Sequence, residues 1–139
     1  VRRPWTMDVL VTENMFGDIL SDLGAGLMGG MGMAPSADIG DHHAVFQPCH
    51  GTAPDIVRQG KANPTAMFLS GAMMLEWLAG MHKSSSARRA AGLIEAAVSK
   101  AYVERKLKPC ELGGADGTEA ITTAVIEAMG TIDPGKIGI

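Results

Sequence analysis

Apolar residues recur at helical spacing over several stretches of this 139-residue chain. From Met15 to Met28 they fall on one face, and Asn14 stands before them as a plausible N-cap. The stretch from Pro64 to Met81 is apolar nearly all round, with proline at a position typical of the first helical residue. Because Ser70, Glu76 and two glycines interrupt it, we predict a buried helix and not a membrane span.

Two more helices are predicted in the second half of the chain. Ser86 to Lys106 carries small and apolar residues on one face and charges on the other, which is typical of an amphipathic helix. Asp116 with Glu119 resembles a capping box, which predicts a last helix from Glu119 to Met129.

Short runs of β-branched and apolar residues predict two buried strands, Met7 to Thr12 (MDVLVT) and Ala44 to Pro48 (AVFQP). Between them, Gly29 to Gly40 is rich in glycine and contains Pro35, so we expect a loop. The order strand, helix, strand, helix, helix, helix predicts an α/β fold.

Composition and charge narrow the class of protein. Hydrophobic residues make up 46% of the chain, which excludes disorder, and the net charge of −3 with scattered basic residues excludes a nucleic-acid groove. Two cysteines, Cys49 and Cys110, and the lack of a signal-peptide pattern fit a reducing, cytoplasmic setting. Because the chain starts with Val1 and not methionine, we expect it to be a piece of a longer protein.

Two carboxylates, Asp18 and Asp22, stand four residues apart in the first predicted helix and therefore share a face. Neither has lysine or arginine three or four residues away, so local ion pairing does not account for them. A divalent cation with a preference for oxygen ligands, Mg²⁺ or Mn²⁺, would relieve their repulsion. The alternative is a solvated polar face.

The stretch from His50 to Pro64 (HGTAPDIVRQGKANP) joins a predicted strand to a predicted helix. Loops in this position of α/β folds bind ligands, and a carboxylate such as Asp55 can accept hydrogen bonds from ribose hydroxyls and repel a 2′-phosphate. An ordinary turn-rich connection is the alternative. Gly24 to Gly29 matches G-x-G-x-x-G, but it falls at the end of a helical pattern, so it is rejected as a dinucleotide fingerprint.

Three motifs together resemble one enzyme family. NMFGDILSDLGAGLMGGMGM (residues 14–33), HGTAPDIVRQGKANP and ELGGADGTEA resemble, in order and spacing, the β-decarboxylating dehydrogenases that act on isopropylmalate, isocitrate, homoisocitrate and tartrate. The resemblance covers essentially the whole chain and is greatest to the isopropylmalate dehydrogenases. It implies an isopropylmalate dehydrogenase-like α/β sandwich, of which this chain is the C-terminal part only.

The resemblance also implies ligands for particular residues. Asp18 and Asp22 would hold the Mg²⁺ or Mn²⁺ that chelates the substrate's hydroxyl and carboxylate. NADP-dependent members carry lysine and tyrosine where this chain has Asp55 and Ile56, so the implied cofactor is NAD. Gln47 replaces a glutamate that the family usually has near the nicotinamide ribose. The implied cofactor-binding residues are His50, Gly51, Thr52, Ala53, Pro54, Asp55, Ile56, Asn63 and Gln47.

The family's catalytic tyrosine and lysine would lie upstream of this chain, as would its substrate-binding arginines and a third metal aspartate. Residues 1–28 would then end a substrate- and metal-binding domain, and residues 29–139 would complete a dinucleotide-binding domain. The implied activity is oxidative decarboxylation of a 2-hydroxy dicarboxylic acid by a homodimer, with neither nucleic acid nor membrane as a partner. A truncated, non-catalytic nucleotide-binding or assembly subunit is the alternative, and a structural fragment without a ligand is a third possibility.

Overall fold

A computed structural model describes residues 3–137 of the chain. The fold is α/β, as predicted. Six main elements follow one another along the described chain, joined by short 3₁₀ turns. They are α1 (Asn14–Met28), β1 (Pro35–Ile39), β2 (Ala44–Pro48), α2 (Thr65–His82), α3 (Ser85–Arg105) and α4 (Thr118–Thr131).

The core lies between α2, α3 and α4, and it is built mainly from small side chains. Alanine and valine fill the α3–α4 contact, so the two helix backbones can approach closely. Lys83 in the left-handed region turns the chain from α2 into α3, and the Ser84 hydroxyl caps α3 by accepting from the Ala87 N–H at 3.3 Å. The buried cluster consists of Ala97, Val98, Ala101, Ala124, Val125 and Ala128.

The two strands form an antiparallel hairpin that packs on α2. The register pairs Pro35 with Pro48 and Ile39 with Ala44, and the Phe46 ring lies 6.1 Å from the Trp77 ring of α2, centroid to centroid. The prediction of a strand at Ala44–Pro48 is confirmed, but its side chains alternate between half-buried and exposed, so it is not a fully buried strand.

Part of the predicted loop from Gly29 to Gly40 is in fact strand β1. Pro35 suggested a loop because proline cannot donate to a ladder, yet it is tolerated at the first residue of a strand and on an edge. The prediction of a loop throughout this stretch was therefore wrong for residues 35–39.

The prediction of a buried strand at Met7–Thr12 was also wrong. Among the described residues these six form no strand, and they are exposed, with Val9 82% and Val11 93% accessible. A β-branched run becomes a strand only where a neighbouring strand supplies hydrogen bonds. In the described chain β1 and β2 pair with each other, and no third strand lies beside this segment.

The helices were predicted correctly, but their caps differ from the predictions. Asn14 is the first residue of α1, after Glu13, and Pro64 precedes α2 instead of opening it. There is no capping box at α4. Gly117 precedes that helix, and the Asp116 carboxylate accepts from the Lys108 N–H at 2.6 Å, which fixes the loop before it. Over residues 3–137, no helix combines the length and the apolar character that crossing a membrane requires.

Candidate functional site

Two cavities that share part of their walls lie beside the loop from His50 to Asn63. Their volumes are about 350 Å³ and about 310 Å³. Met31 and Gly32, which follow α1, and Glu111, which precedes α4, complete the wall of the larger one. The residues predicted to bind the cofactor that line one or both cavities are His50, Gly51, Thr52, Ala53, Ile56 and Asn63.

The other three predicted cofactor residues lie near this site in sequence but line neither cavity. Gln47 is an exposed residue of β2, and Pro54 and Asp55 are exposed in the 3₁₀ turn that immediately precedes the cavity-lining Ile56. The Gln59 side-chain amide donates to the Asp55 backbone carbonyl at 2.6 Å. Within residues 3–137 the Asp55 carboxylate forms no ion pair.

The backbone of the loop is bent at Ala53, which lies in the left-handed region with φ 44° and ψ 63°. This conformation costs a residue other than glycine about 1–2 kcal/mol, and strained residues of this kind occur at helix ends, turns and ligand sites. The bend directs the chain from the exposed His50–Gly51 segment into the Pro54–Ile56 turn, so that both sides of the bend face the cavities.

A hydrogen-bond network fixes the inner wall of the larger cavity at Asn63, which is 7% exposed. Its side-chain Nδ2 donates to Glu111 Oε1 at 2.9 Å, and its Oδ1 accepts from the Thr65 N–H at 3.0 Å. The Tyr102 hydroxyl bonds the Thr65 hydroxyl at 2.8 Å and lies 3.5 Å from Asn63 Oδ1. Because both ends of the amide are engaged, Asn63 holds one orientation.

Gly32 allows Glu111 and Asn63 to meet. A Cβ atom at this position would overlap Glu111 Oε1 and lie 2.9 Å from the Asn63 Cβ, closer than real side chains approach. Glycine at position 32 therefore has a packing reason, because it lets the backbone lie directly against the pocket wall. Gly29 and Gly30 have a conformational reason, because they end α1 with φ of 116° and 121°.

Burial raises the pKa of the Tyr102 phenol above its ordinary value, and the negative charges of Glu111 and Asp116 raise it further, against the opposing effect of its hydrogen bonds to Thr65 and Asn63. The folded chain therefore favours the protonated phenol. The stability that follows from this preference is complete below the unfolded pKa near 10 and is lost as pH rises through the raised folded pKa.

Tyr102→Phe is therefore expected to lower stability at neutral pH by about 1 kcal/mol, because the hydrogen bond to Thr65 is lost. Above pH 10 the variant should lose stability less steeply than the wild type, because it has no phenol to ionise. Urea unfolding of both proteins between pH 8 and pH 11 measures this. Parallel declines above pH 10 would contradict the assignment.

Asp18 and Asp22 are exposed on α1, one helical turn apart. No group of three or more histidine, cysteine, aspartate or glutamate side chains that could hold a metal ion is found in the described part of the chain. The two carboxylates are hard oxygen donors and fit Mg²⁺ or Mn²⁺ as a partial set, so further ligands would have to come from water, a substrate or another part of the protein.

Helix α1 also presents a large apolar surface. Phe16, Ile19, Leu23 and Leu27 are each between 45% and 64% exposed, and Ala25 is its one buried residue. Gly24 to Gly29 spans the end of this helix and its C-cap, in agreement with the rejection of that stretch as a dinucleotide fingerprint.

Glu111, Gly32, Ala62 and Thr118 line the cavities but were not predicted to do so. Glu111 and Gly32 both lie within the motifs that carried the family resemblance. The one feature of the sequence that could have indicated Glu111 is its position two residues before a pair of glycines, in a segment that resembles one of the family's motifs. Nothing in the local sequence says that it reaches Asn63, which lies 48 residues earlier.

The family model for isocitrate/isopropylmalate dehydrogenase matches residues 1–129. The chain belongs to the isocitrate/isopropylmalate dehydrogenase family. Its fold resembles that of the crystal structure of isocitrate dehydrogenase from Methylococcus capsulatus, with a TM-score of 0.79 and 43% identity, covering 91% of this chain and 36% of that one.

Relatives within the family carry several names. The chain is 50% identical to isocitrate/homoisocitrate dehydrogenase of Thermus thermophilus, over 93% of this chain and 36% of the relative. It is 48% identical to 3-isopropylmalate dehydrogenase of Archaeoglobus fulgidus, over 82% and 32%. It is 45% identical to a mitochondrial regulatory subunit of NAD isocitrate dehydrogenase from Dictyostelium discoideum, over 91% and 34%. The chain thus spans about a third of the length of these relatives, and they do not distinguish isopropylmalate dehydrogenase from the other members.

Proposed function

We propose that this chain is the C-terminal part of a metal- and NAD-dependent enzyme that oxidatively decarboxylates a 2-hydroxy dicarboxylic acid of the 3-isopropylmalate type. The observation that carries the proposal is the cavity beside the His50–Asn63 loop, in a chain of this dehydrogenase family. In this proposal residues 1–28 end the substrate- and metal-binding domain, and residues 29–139 belong to the dinucleotide-binding domain.

The cofactor part of the proposal assigns the adenosine half of NAD to the two cavities. Their walls are mainly apolar, their volumes are typical of small-molecule sites, and Gly51 and Ala53 border both. Asp55, which precedes the cavity-lining Ile56, would accept from the ribose hydroxyls and repel a 2′-phosphate. The remaining residues proposed to surround the cofactor are His50, Thr52, Pro54, Ile56, Asn63 and Gln47.

The metal part assigns Mg²⁺ or Mn²⁺ to Asp18 and Asp22. A metal bound there would supply positive charge beside the substrate oxygen on which negative charge develops. The two aspartates contribute the charge that binds the ion, and their spacing on one helix holds both carboxylates at a fixed separation. Residues of this chain do not supply the catalytic tyrosine and lysine in this proposal, since both would lie upstream.

A second copy of the chain is the proposed occupant of the apolar face of α1. Four large apolar side chains on one helix face would be covered in a homodimer, and this burial favours association. A cytoplasmic location is part of the same proposal, supported by the free thiols of Cys49 and Cys110.

The direct test is an assay of the full-length protein, meaning this chain with any residues that precede Val1. Isopropylmalate, isocitrate and homoisocitrate are each supplied with NAD and Mn²⁺, and formation of NADH and release of CO₂ are measured. Turnover of one of them is expected. If the protein turned over no malate-like substrate of this class, the proposal would be wrong.

The chain alone, residues 1–139, should bind Mn²⁺ no more tightly than millimolar and show no dehydrogenase activity. Two carboxylates with water in the other positions hold such an ion weakly. Paramagnetic resonance titration of Mn²⁺ into the chain and into the full-length protein measures this, with an Asp18→Asn/Asp22→Asn double variant as the control for nonspecific binding. Micromolar binding by the chain alone would show that its metal site is already complete.

A non-catalytic subunit is the second candidate, supported by the 45% identity to a regulatory subunit. Such a protein would bind nucleotide through the same cavity but would turn over substrate only together with a catalytic partner. Activity of the purified full-length protein by itself would exclude this candidate.

A further inference from the structure

The end of the His50–Asn63 loop is tied to the start of α4 by Thr118, the first residue of that helix. The Thr118 N–H donates to the Gly60 carbonyl at 2.8 Å, and the Thr118 hydroxyl donates to the Ala62 carbonyl. Ala62 lines both cavities and Gly60 lines the smaller one. One residue of α4 therefore fixes two points of the cavity wall that lie more than 50 residues earlier in the sequence.

The wall segment Gly60–Ala62 has few other supports. Its three residues are exposed, and within residues 3–137 their backbone groups form no hydrogen bonds except the two with Thr118. Exposed backbone with so few hydrogen bonds opens easily. The position of this segment, and of Asn63 directly after it, therefore depends on the contact with α4.

The contact between the loop and the helix is close. A Cβ atom at Gly117, the residue before Thr118, would overlap the Gly60 carbonyl oxygen, so the two backbones lie directly against each other. A hydroxyl group has one proton, and that of Thr118 is used by the Ala62 carbonyl. The side chain is thus arranged to hold the wall, and its proton is not available to a ligand in the cavity.

We propose that Thr118 is a positioning residue for the dinucleotide. Its hydroxyl holds the segment Gly60–Ala62 so that the walls of both cavities are in place before the cofactor binds. Without this bond the ligand would have to order the segment as it binds, and affinity would fall. This inference rests on the proposed function, because it takes the two cavities to be the cofactor site.

Thr118→Val in the full-length protein removes the hydroxyl and keeps the shape of the side chain. The KM for NAD should rise about threefold to tenfold, as expected for the loss of one hydrogen bond, while kcat and the KM for the 2-hydroxy acid stay unchanged. A change that only destabilised the protein would reduce the active fraction, and therefore kcat, without changing the KM for NAD. Thr118→Ser keeps the hydroxyl and should restore the wild-type KM.

Thr131→Val is the matched control. Thr131 is the last residue of the same helix, its hydroxyl also donates to a backbone carbonyl, that of Ala128 at 2.8 Å, and it lines neither cavity. The same chemical change there removes the same kind of hydrogen bond. It should leave the KM for NAD at the wild-type value.

Limited digestion with trypsin tests the contact itself, in the absence of substrate and cofactor. Lys61 lies in the wall segment, and Lys83 lies in the exposed turn between α2 and α3, where it serves as an internal reference. Cleavage after Lys61 relative to Lys83 should be faster in Thr118→Val, because the released segment opens more often. The ratio should keep its wild-type value in Thr118→Ser and Thr131→Val.

The outcomes separate the two proposals. If the wild type used NAD and Thr118→Val had the same KM for it, the positioning role would be overturned and the NAD site would stand. An unchanged cleavage ratio in Thr118→Val would have the same meaning. Thr118→Ala provides the same two comparisons if the valine variant does not fold. If the wild type bound no NAD, the proposed cofactor site would be wrong, and the inference with it.

Discussion

Asp18→Asn in the full-length protein is expected to lower kcat/KM with substrate, NAD and Mn²⁺ by two orders of magnitude or more. The change keeps the size of the side chain and one oxygen but removes the charge that the proposed metal needs. Loss of one preorganised electrostatic contact to a developing charge costs about 3–4 kcal/mol in the transition state, which corresponds to a factor of 10² to 10³.

The structure makes this variant a clean test of function. Asp18 is exposed on α1, and its carboxylate forms no ion pair within residues 3–137. The Ser21 hydroxyl donates to its backbone carbonyl, not to its side chain, at 3.0 Å. Its carboxylate stabilises nothing else there, so the free energy of unfolding should change by no more than about 0.5 kcal/mol.

Asp41→Asn is the matched control, since it makes the same change at an exposed position in the turn between β1 and β2. It should leave kcat/KM unaltered, and Asp22→Asn should lower it less than Asp18→Asn if Asp22 binds through water. Activity of Asp18→Asn above a tenth of the wild type would remove this residue from the metal site.

The helices of this fold could be predicted from the sequence because their information is local. Apolar residues recur at helical spacing in α1 and α3 and form a continuous run in α2. These patterns predicted the helix bounds within one or two residues. Strands are different, because a strand exists only through its partner. MDVLVT has strand composition and no partner in the described chain, whereas the proline-containing PSADI pairs with AVFQP and becomes β1.

The candidate site likewise has a part that is local in sequence and a part that is not. The loop His50–Asn63 is contiguous, so its motif identified most of one cavity wall directly. Glu111 and Gly32 reach that wall from segments 48 and 31 residues away from Asn63, and only the packing of the turn after Pro109 against the glycines after α1 brings them together. Long-range proximity of this kind has no local signature, so the sequence could indicate the segments but not the contact.

The double change Asp55→Lys with Ile56→Tyr in the full-length protein is expected to shift the preference between NAD and NADP toward NADP by tenfold or more. Removing the carboxylate ends its repulsion of the 2′-phosphate, and lysine and tyrosine supply new charge-assisted and hydroxyl hydrogen bonds. Together these effects are worth about 1.5–3 kcal/mol, or about tenfold to 150-fold in the ratio of kcat/KM values.

Both positions tolerate the change on structural grounds. The Asp55 side chain is exposed and its backbone carbonyl, which any residue supplies, makes the contact with Gln59, while Ile56 is half-buried at the shared wall of the cavities. Asp55→Asn alone isolates the repulsion and should give a smaller shift, because it adds no cation. Asp41→Lys controls for a general gain of positive charge and should leave the ratio unchanged. If the double variant kept the wild-type ratio, Asp55 would lie outside the cofactor site and the two cavities would need another ligand.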